Sequence, residues 1–359
     1  MADDVAIERD AFAERLHGSA LGFFDILSIR LGDRLGLYPA LIEGGGVTSS
    51  ELADRAGIAM RYAREWLEQQ TAAGIVRANG KGDGVRFTLP AGHAEVLLDR
   101  DSLSYMMPTV RSLMTLTPVM DALVDAYRTG GGVSWDAYGT DSREAVGDSN
   151  RPIYLQVLPR EWLPKIHEIH DRLQTAPPAR VADIGCGTGW SSIAIAGAYP
   201  GVRVDGFDRD EESLAFARRN AETSGVADRV SFEARDAGEP GDSGAYDVVT
   251  FFECLHDMSH PVEALRVARG LLTDGGVVFV ADEPTNDEFT GAEDDLDRYH
   301  YGWSLFACLP TAMTEPGSAG TGTVMRPSTL RSYAREAGFA GFDVLPIEDD
   351  SFRLYLLRP

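Results

Sequence analysis

The stretch Val181-Ala182-Asp183-Ile184-Gly185-Cys186-Gly187-Thr188-Gly189 decides the fold. Its first four residues are a short, mostly apolar run of the kind found in a strand buried on both faces. The glycines that follow let the backbone turn sharply and approach a ligand without a Cβ in the way. A helix is expected over 190–198. Working outward, the pattern repeats: strand 202–207, helix 211–224, strand 230–232, strand 247–252, helix 261–272 and strand 276–281. This alternation predicts a doubly wound, mostly parallel α/β sheet. The tail departs from it. A helix over 327–337 precedes strands 341–347 and 352–357, and the tight turn Glu348-Asp349-Asp350 between them requires an antiparallel hairpin.

Open sheets of this kind bind ligands beyond the carboxyl ends of their strands. The second strand ends in Phe207-Asp208, where a carboxylate can accept both hydroxyls of a ribose. Asp236, in Arg235-Asp236-Ala237, follows the third strand and could take an adenine amino group. One such acid alone reads more readily as a helix cap or a solvated loop residue. Acids at the ends of three successive strands (Asp183, Asp208, Asp236), beside a glycine loop, point to a nucleoside-bearing cofactor. The loop reads Gly-x-Gly-x-Gly, whereas the dinucleotide fingerprint sets its last glycine one residue later, which counts against a nicotinamide oxidoreductase.

The chain has 359 residues, enough for two domains, and a formal net charge of −23, which repels nucleic acid phosphates and anionic membranes. Its three cysteines, Cys186, Cys254 and Cys308, are scattered, so neither a disulfide framework nor a structural zinc is expected. The opening residues lack the pattern of a signal peptide, and no apolar run of about 18 residues is present. A soluble, cytoplasmic protein is expected.

Residues 1–102 read as a mainly helical winged-helix domain. Thr48-Ser49-Ser50-Glu51 caps a helix that Gly57 ends, a second helix spans 60–73, and strands at 75–77 and 85–89 form a wing. DNA binding through Arg61 and Arg64 is one reading. Glu65 and Glu68 on the same helix oppose it, as do 11 Lys and Arg against 15 Asp and Glu over residues 1–100, a balance of −4. The preferred reading is pairing of two subunits. Residues 103–175 form a helical arm, broken at Pro108, Pro118, 130–132 and Pro152. Its aromatics (Tyr105, Tyr127, Trp135, Tyr138, Tyr154, Trp162) are read first as packing residues.

From about residue 180 onward the chain resembles the class I S-adenosylmethionine-dependent methyltransferases. The glycine loop matches the family's first motif. Leu271-Leu272-Thr273-Asp274-Gly275-Gly276 matches the turn before its fifth strand, with Thr273-Asp274 where a proline is usual. The winged helix and arm resemble the dimerising half of small-molecule O-methyltransferases, and of actinobacterial relatives. The resemblance implies a seven-stranded sheet over 176–359 and S-adenosylmethionine as cofactor. It implies a cofactor site of Asp183, Gly185, Cys186, Gly187, Gly189, Asp208, Arg209, Asp236, Ala237, Phe252 and Glu253. The acceptor would be a small hydroxylated metabolite, as in secondary metabolism, handled by a homodimer that engages neither nucleic acid nor membrane.

His256-Asp257-Met258 after the fourth strand is similar to the His-Asp-Trp that supplies the base in plant-type O-methyltransferases. An imidazole near neutrality suits proton removal. His256, Asp257 and Glu283 are therefore the expected catalytic set, with Glu283 orienting the imidazole and no metal required. Residues 285–325 form an insert without a clear period, expected to enclose the acceptor together with the arm. Three alternatives stay open. One is methylation of carbon or nitrogen. Another is metal assistance through His256 and Asp257 with His300 or Cys308, as in 2-oxo-acid C-methyltransferases that resemble this arrangement. The third is a transcription regulator that senses S-adenosylmethionine.

Overall fold

A computed structural model describes every residue except Met1, Gly44, Pro240, Asp242, Ala292 and Glu293. Two compact units are distinguished, Met1–Met114 and Thr115–Pro359.

The smaller unit is a winged helix. Its helix Ser49–Ala56 carries the expected reciprocal cap, the Thr48 side chain accepting from the Glu51 N–H and the Glu51 carboxylate from the Thr48 N–H. Gly57, at φ 66°, closes the helix in the left-handed region. After the helix Met60–Ala72, strands β1 (Arg77–Asn79) and β2 (Arg86–Thr88) pair antiparallel, and Val47 bridges to Phe87. Leu52, Trp66, Leu67, Val76 and Phe87 fill the core beneath the wing. On the exposed side of Met60–Ala72, Arg61 pairs with Glu65 and Arg64 with Glu68, each one helical turn apart. A 33-residue helix, Ala2–Arg34, leads the unit.

The larger unit holds seven strands: β3 (Arg180–Ile184), β4 (Arg203–Asp208), β5 (Val230–Ala234), β6 (Tyr246–Phe252), β7 (Leu272–Asp282), β8 (Gly341–Val344) and β9 (Arg353–Arg358). Their order is β5-β4-β3-β6-β7-β9-β8. The first five run parallel, and β9 is antiparallel to both of its neighbours. Successive residues supply opposite faces. Val181, Val248 and Phe279 enter one core, while Ala182, Val249 and Val280 enter the other. Strands apolar on both sides need helices on both sides, and the alternating chain supplies them. The order reverses between β3 and β6, where a doubly wound sheet opens its ligand crevice.

Three expectations need adjustment. The arm is not broken at Pro152, because a single helix, Thr140–Gln156, runs through it. Proline removes one hydrogen bond and typically costs a helix about 3 kcal/mol. Here Ala145, Gly147, Pro152 and Tyr154 are buried along the helix, and that packing outweighs the missing bond. The middle of the insert is helical, with Asp295–Trp303 running through a π-turn into Leu309–Ala312. Asp294 caps it by accepting from the N–H groups of Leu296 and Asp297, a signal hidden within an acidic run. Finally, β7 begins at Leu272, and the register slips between Tyr246 and Val248 to absorb the Gly275-Gly276 turn.

Candidate active site

The glycine loop leaves β3 at the crevice. Gly185 has φ 68°, and a Cβ there would lie 2.7 Å from Cys254 Sγ, so both the conformation and the neighbour demand glycine. The Gly185 and Cys186 N–H groups donate to the Phe207 carbonyl at 2.7 and 3.1 Å, tying the loop to β4. Gly187 N–H donates to Asp208 Oδ2 at 2.8 Å, and Asp210 N–H to Asp208 Oδ1 at 2.9 Å. Asp208 is thus fixed in place and partly open. Burial pushes its carboxyl up, against the pull of these two backbone donors.

Asp183 lies differently from a ligand-facing acid. It is fully buried and accepts from the hydroxyls of Ser191 and Ser192 at 2.6 Å each and of Thr250 at 2.8 Å. Burial raises its pKa despite these donors. Its position shows it bracing the loop against β6 and the helix Trp190–Ala198. Cys186 is buried beneath the same loop. Asp236 is exposed and holds Gly238 N–H at 2.8 Å, with Ala237 partly buried beside it. Arg209 reaches out to Glu315 of the insert at 3.0 Å, and His260 lies 3.4 Å from the same carboxylate.

The second half of the site follows β6. Phe252 stacks at 5.4 Å from Tyr154 of the arm helix. Glu253 has φ 52°, left-handed in a residue that ordinarily avoids that region. Its N–H donates to Ala281 O at 2.8 Å, and its side chain accepts from Asn150 Nδ2 at 2.5 Å. A single turn later His256 is 1% exposed. Its Nδ1 donates to Asp282 Oδ1 at 2.8 Å, with Glu283 Oε2 at 3.1 Å, while Nε2 stands 3.3 Å from Asp257 Oδ1. Burial pulls the imidazole pKa down, but the charges of Asp282, Glu283 and Asp257 together hold it well above the usual value. Burial and its carboxylate neighbours push Glu253 up to about 8 and Glu283 up to about 7, the His256 charge opposing both.

The structure therefore brings His256, Asp257 and Glu283 together and adds Asp282, which sequence reading missed. Asp282 ends β7 directly before Glu283, so the strand end carries two adjacent acids. Asn150 and Tyr154 were also unforeseen as neighbours of Glu253, because only the path of the arm helix brings them there. Cys308, named as one of two metal-ligand options, has a donor atom within 4.8 Å of donors on His256 and Asp257. His300 belongs to neither candidate ligand group among the described residues, and its Nδ1 is buried without a hydrogen bond.

Three features fit an adenosyl amino acid cofactor. Asp208 stands partly open at the end of β4, a Cβ on Gly187 would meet nothing within 4 Å, and the buried Tyr154 hydroxyl lacks a partner near Glu253.

Comparison with known proteins gives a consistent picture. The family described as methyltransferase domain matches residues 177–316, and the Rv2258c-like winged HTH domain matches residues 25–100. The chain is 32% identical over 205 residues to the ubiquinone biosynthesis O-methyltransferase of Ralstonia nicotianae, covering 52% of this chain and 78% of that enzyme. It is 33% identical over 169 residues to the enzyme of the same name from Burkholderia pseudomallei, a match of 45% of this chain and 65% of the relative, just under two thirds of its length. Among solved structures, human N-acetylserotonin methyltransferase in complex with S-adenosylmethionine shares the fold, with a TM-score of 0.70 at 17% identity and coverage of 96% and 97%.

Proposed function

The chain belongs to the S-adenosylmethionine-dependent methyltransferases, and from that premise we propose that it methylates an oxygen of a small hydroxylated metabolite, with His256 as general base. The observation that carries this reading is the buried His256, its Nδ1 donating to Asp282 and backed by Glu283. The cofactor supplies an activated methyl group on a sulfonium.

The protein's own contribution is placement and proton removal. Asp208 would hold the ribose hydroxyls, Gly187 and Asp236 would border the adenosine, and Glu253 with Tyr154 would face the amino acid end. Asp282 fixes the tautomer of His256, leaving Nε2 to take the acceptor proton. The resulting imidazolium is stabilised by the carboxylates that already surround it. The insert and the arm would exclude water from the acceptor. Tyr138 and Tyr127 of the arm donate to the carbonyls of Phe306 (2.8 Å) and Leu305 (3.1 Å), which supports that enclosure.

Calorimetric titration with S-adenosylhomocysteine tests the cofactor half, with Asp208→Ala expected to abolish binding. Screening phenolic and other hydroxylated acceptors against His256→Ala tests the chemical half. Methyl transfer that survives unchanged in that variant would overturn the role given to His256.

A second reading has one specific observation in its favour, the grouping of His256, Asp257 and Cys308 donors within 4.8 Å. Imidazole, carboxylate and thiolate together suit zinc or a similar ion. A metal-assisted C- or N-methylation would use them, and elemental analysis of the purified protein decides between the two. For assembly, we favour a homodimer. The helix Ala2–Arg34 carries Phe12, Leu16 and Phe24 at 59–61% exposure, which is unfavourable unless a second copy covers them. Light scattering showing a monomer at micromolar concentration would refute this.

A further inference from the structure

The helix Thr140–Gln156 meets the ends of three cofactor-side strands along one face. At positions 143, 147 and 150, spaced four and three residues apart, it touches the loops after β4, β3 and β6 in turn. Asn150 donates to Glu253, as described above. Gly147 lies so close to Thr188 that a Cβ would come within 2.2 Å of its hydroxyl oxygen. The third contact is the strongest. Arg143 has only 2% of its side chain exposed, and its Nε and one terminal nitrogen donate to the two oxygens of Asp210 at 2.6 and 2.9 Å. It also pairs with Asp136 and, at 3.1 Å, with Glu212, whose carboxylate accepts from Thr140 as well.

Asp210 is the cap of the helix Glu211–Thr223, accepting from Ser213 N–H, and its own N–H donates to Asp208 Oδ1. A continuous chain of bonds therefore runs from the arm through Arg143 and Asp210 to the acid assigned to the ribose. We propose that Arg143 is a positioning residue for the cofactor ribose, holding Asp208 in its accepting geometry through Asp210. A guanidinium is suited to this work, since its planar fork fixes a carboxylate in both distance and angle, whereas a lysine ammonium fixes only distance. Burying the pair removes competition from water and adds to the rigidity. Without the clamp, only Ser213 still holds the Asp210 side chain, and the stretch of backbone that presents the Asp210 N–H to Asp208 loses its anchor to the arm.

The inference rests on the reading of Asp208 as the ribose acceptor, and the experiment separates the two. The full-length protein is titrated with S-adenosylhomocysteine and with its 2′,3′-dideoxy analogue, for wild type, Arg143→Lys and Arg143→Met, alongside thermal melting. Wild type is expected to prefer the natural ligand by about tenfold or more, the range for hydrogen bonds to a charged acceptor. In Arg143→Lys most of that preference disappears, because affinity for the natural ligand falls while affinity for the analogue barely moves. Should Arg143→Met fail to fold, the lysine variant, which keeps the charge and loses the fork, carries the test alone. Equal weakening of both ligands would mean that Arg143 only supports the fold and would overturn the proposal. Absence of any preference in wild type would instead remove the ribose role of Asp208, and the proposal with it.

Discussion

Replacing Gly147 by alanine sets two effects of known size against each other. The residue sits mid-helix without a positive φ, so alanine is conformationally welcome and gains about 1 kcal/mol of helix propensity over glycine. Against this, the new Cβ would lie 2.2 Å from Thr188 Oγ1, 2.9 Å from Cγ2 and 3.0 Å from Cβ. Rotating the threonine relieves the first contact by exchanging it for the second, and the third moves only with the backbone. That backbone is held, since Asn220 Nδ2 donates to Thr188 O at 3.0 Å. Overpacking of this kind typically costs about 1–3 kcal/mol, so the net change is a destabilisation of about 1 kcal/mol. For a unit of this size that lowers the melting temperature by roughly 3 °C. The relief comes from moving the glycine loop, so affinity for S-adenosylhomocysteine should fall as well. Melting curves and calorimetry on wild type, Gly147→Ala, Thr188→Ala and the double variant form the assay. In the Thr188→Ala background the propensity gain dominates and Gly147→Ala becomes neutral or stabilising. If Gly147→Ala stabilises the otherwise unaltered protein and leaves ligand affinity intact, the close seating of the arm on the loop is wrong.

Other outcomes follow from the same geometry. His256→Ala should lower kcat by about 10²–10⁴, the usual contribution of a positioned base, while the Kd for S-adenosylhomocysteine stays nearly constant. A parallel loss of binding would assign the histidine a structural role instead. Glu253 and Glu283 are held up to about 8 and 7, above an ordinary value of 4.5, so between those limits the native state keeps protons that the unfolded chain has released. Their contribution to stability is therefore present below about pH 4.5 and is lost as pH rises through the folded values. His256, also raised, acts in the same direction. Glu253→Gln should flatten the decline in melting temperature of the ligand-free protein between pH 5 and 8, and an unchanged slope would count against the buried carboxyl.

The sheet was legible because its signals are local. The run Val181–Ile184 leads directly into its glycines, Asp208 is the last residue of the strand it closes, and the capping pair Thr48 and Glu51 marks a helix start without tertiary help. The parts that escaped depend on distant segments meeting. Asp183 reads from sequence as one acid in a row of three, yet its carboxylate is consumed by Ser191, Ser192 and Thr250, two of them on the next helix. Pro152 reads as a break because local rules say so, and packing overrides them. Arg143 carries no motif at all. Its role exists only because the arm helix lies along the loop after β4, 67 residues further on in the sequence.

The surroundings of His256 also bear on why the site is built from so many acids. Methyl transfer from a sulfonium to an oxygen losing its proton joins a cation to an incipient anion, so charge disappears on the way to the transition state. A site poor in solvating water favours such a step. Glu253 and Glu283, both raised by burial, take up protons more readily than surface carboxylates, which limits the negative charge that this buried space must hold. In the role proposed for His256, Asp282, bonded to Nδ1, would stabilise the positive charge that the imidazole acquires. The same stabilisation has a consequence for the resting enzyme. With its pKa raised above the ordinary 6.5, His256 keeps its second proton to higher pH than a free imidazole and must lose it before it can accept another. The rate should therefore climb with pH above neutrality. Asp282→Asn removes one of the charges that raise the pKa, so the climb should begin at lower pH, while the weaker base lowers the plateau. A profile flat from neutrality upward in the wild type would mean that the proton leaves the acceptor by another route.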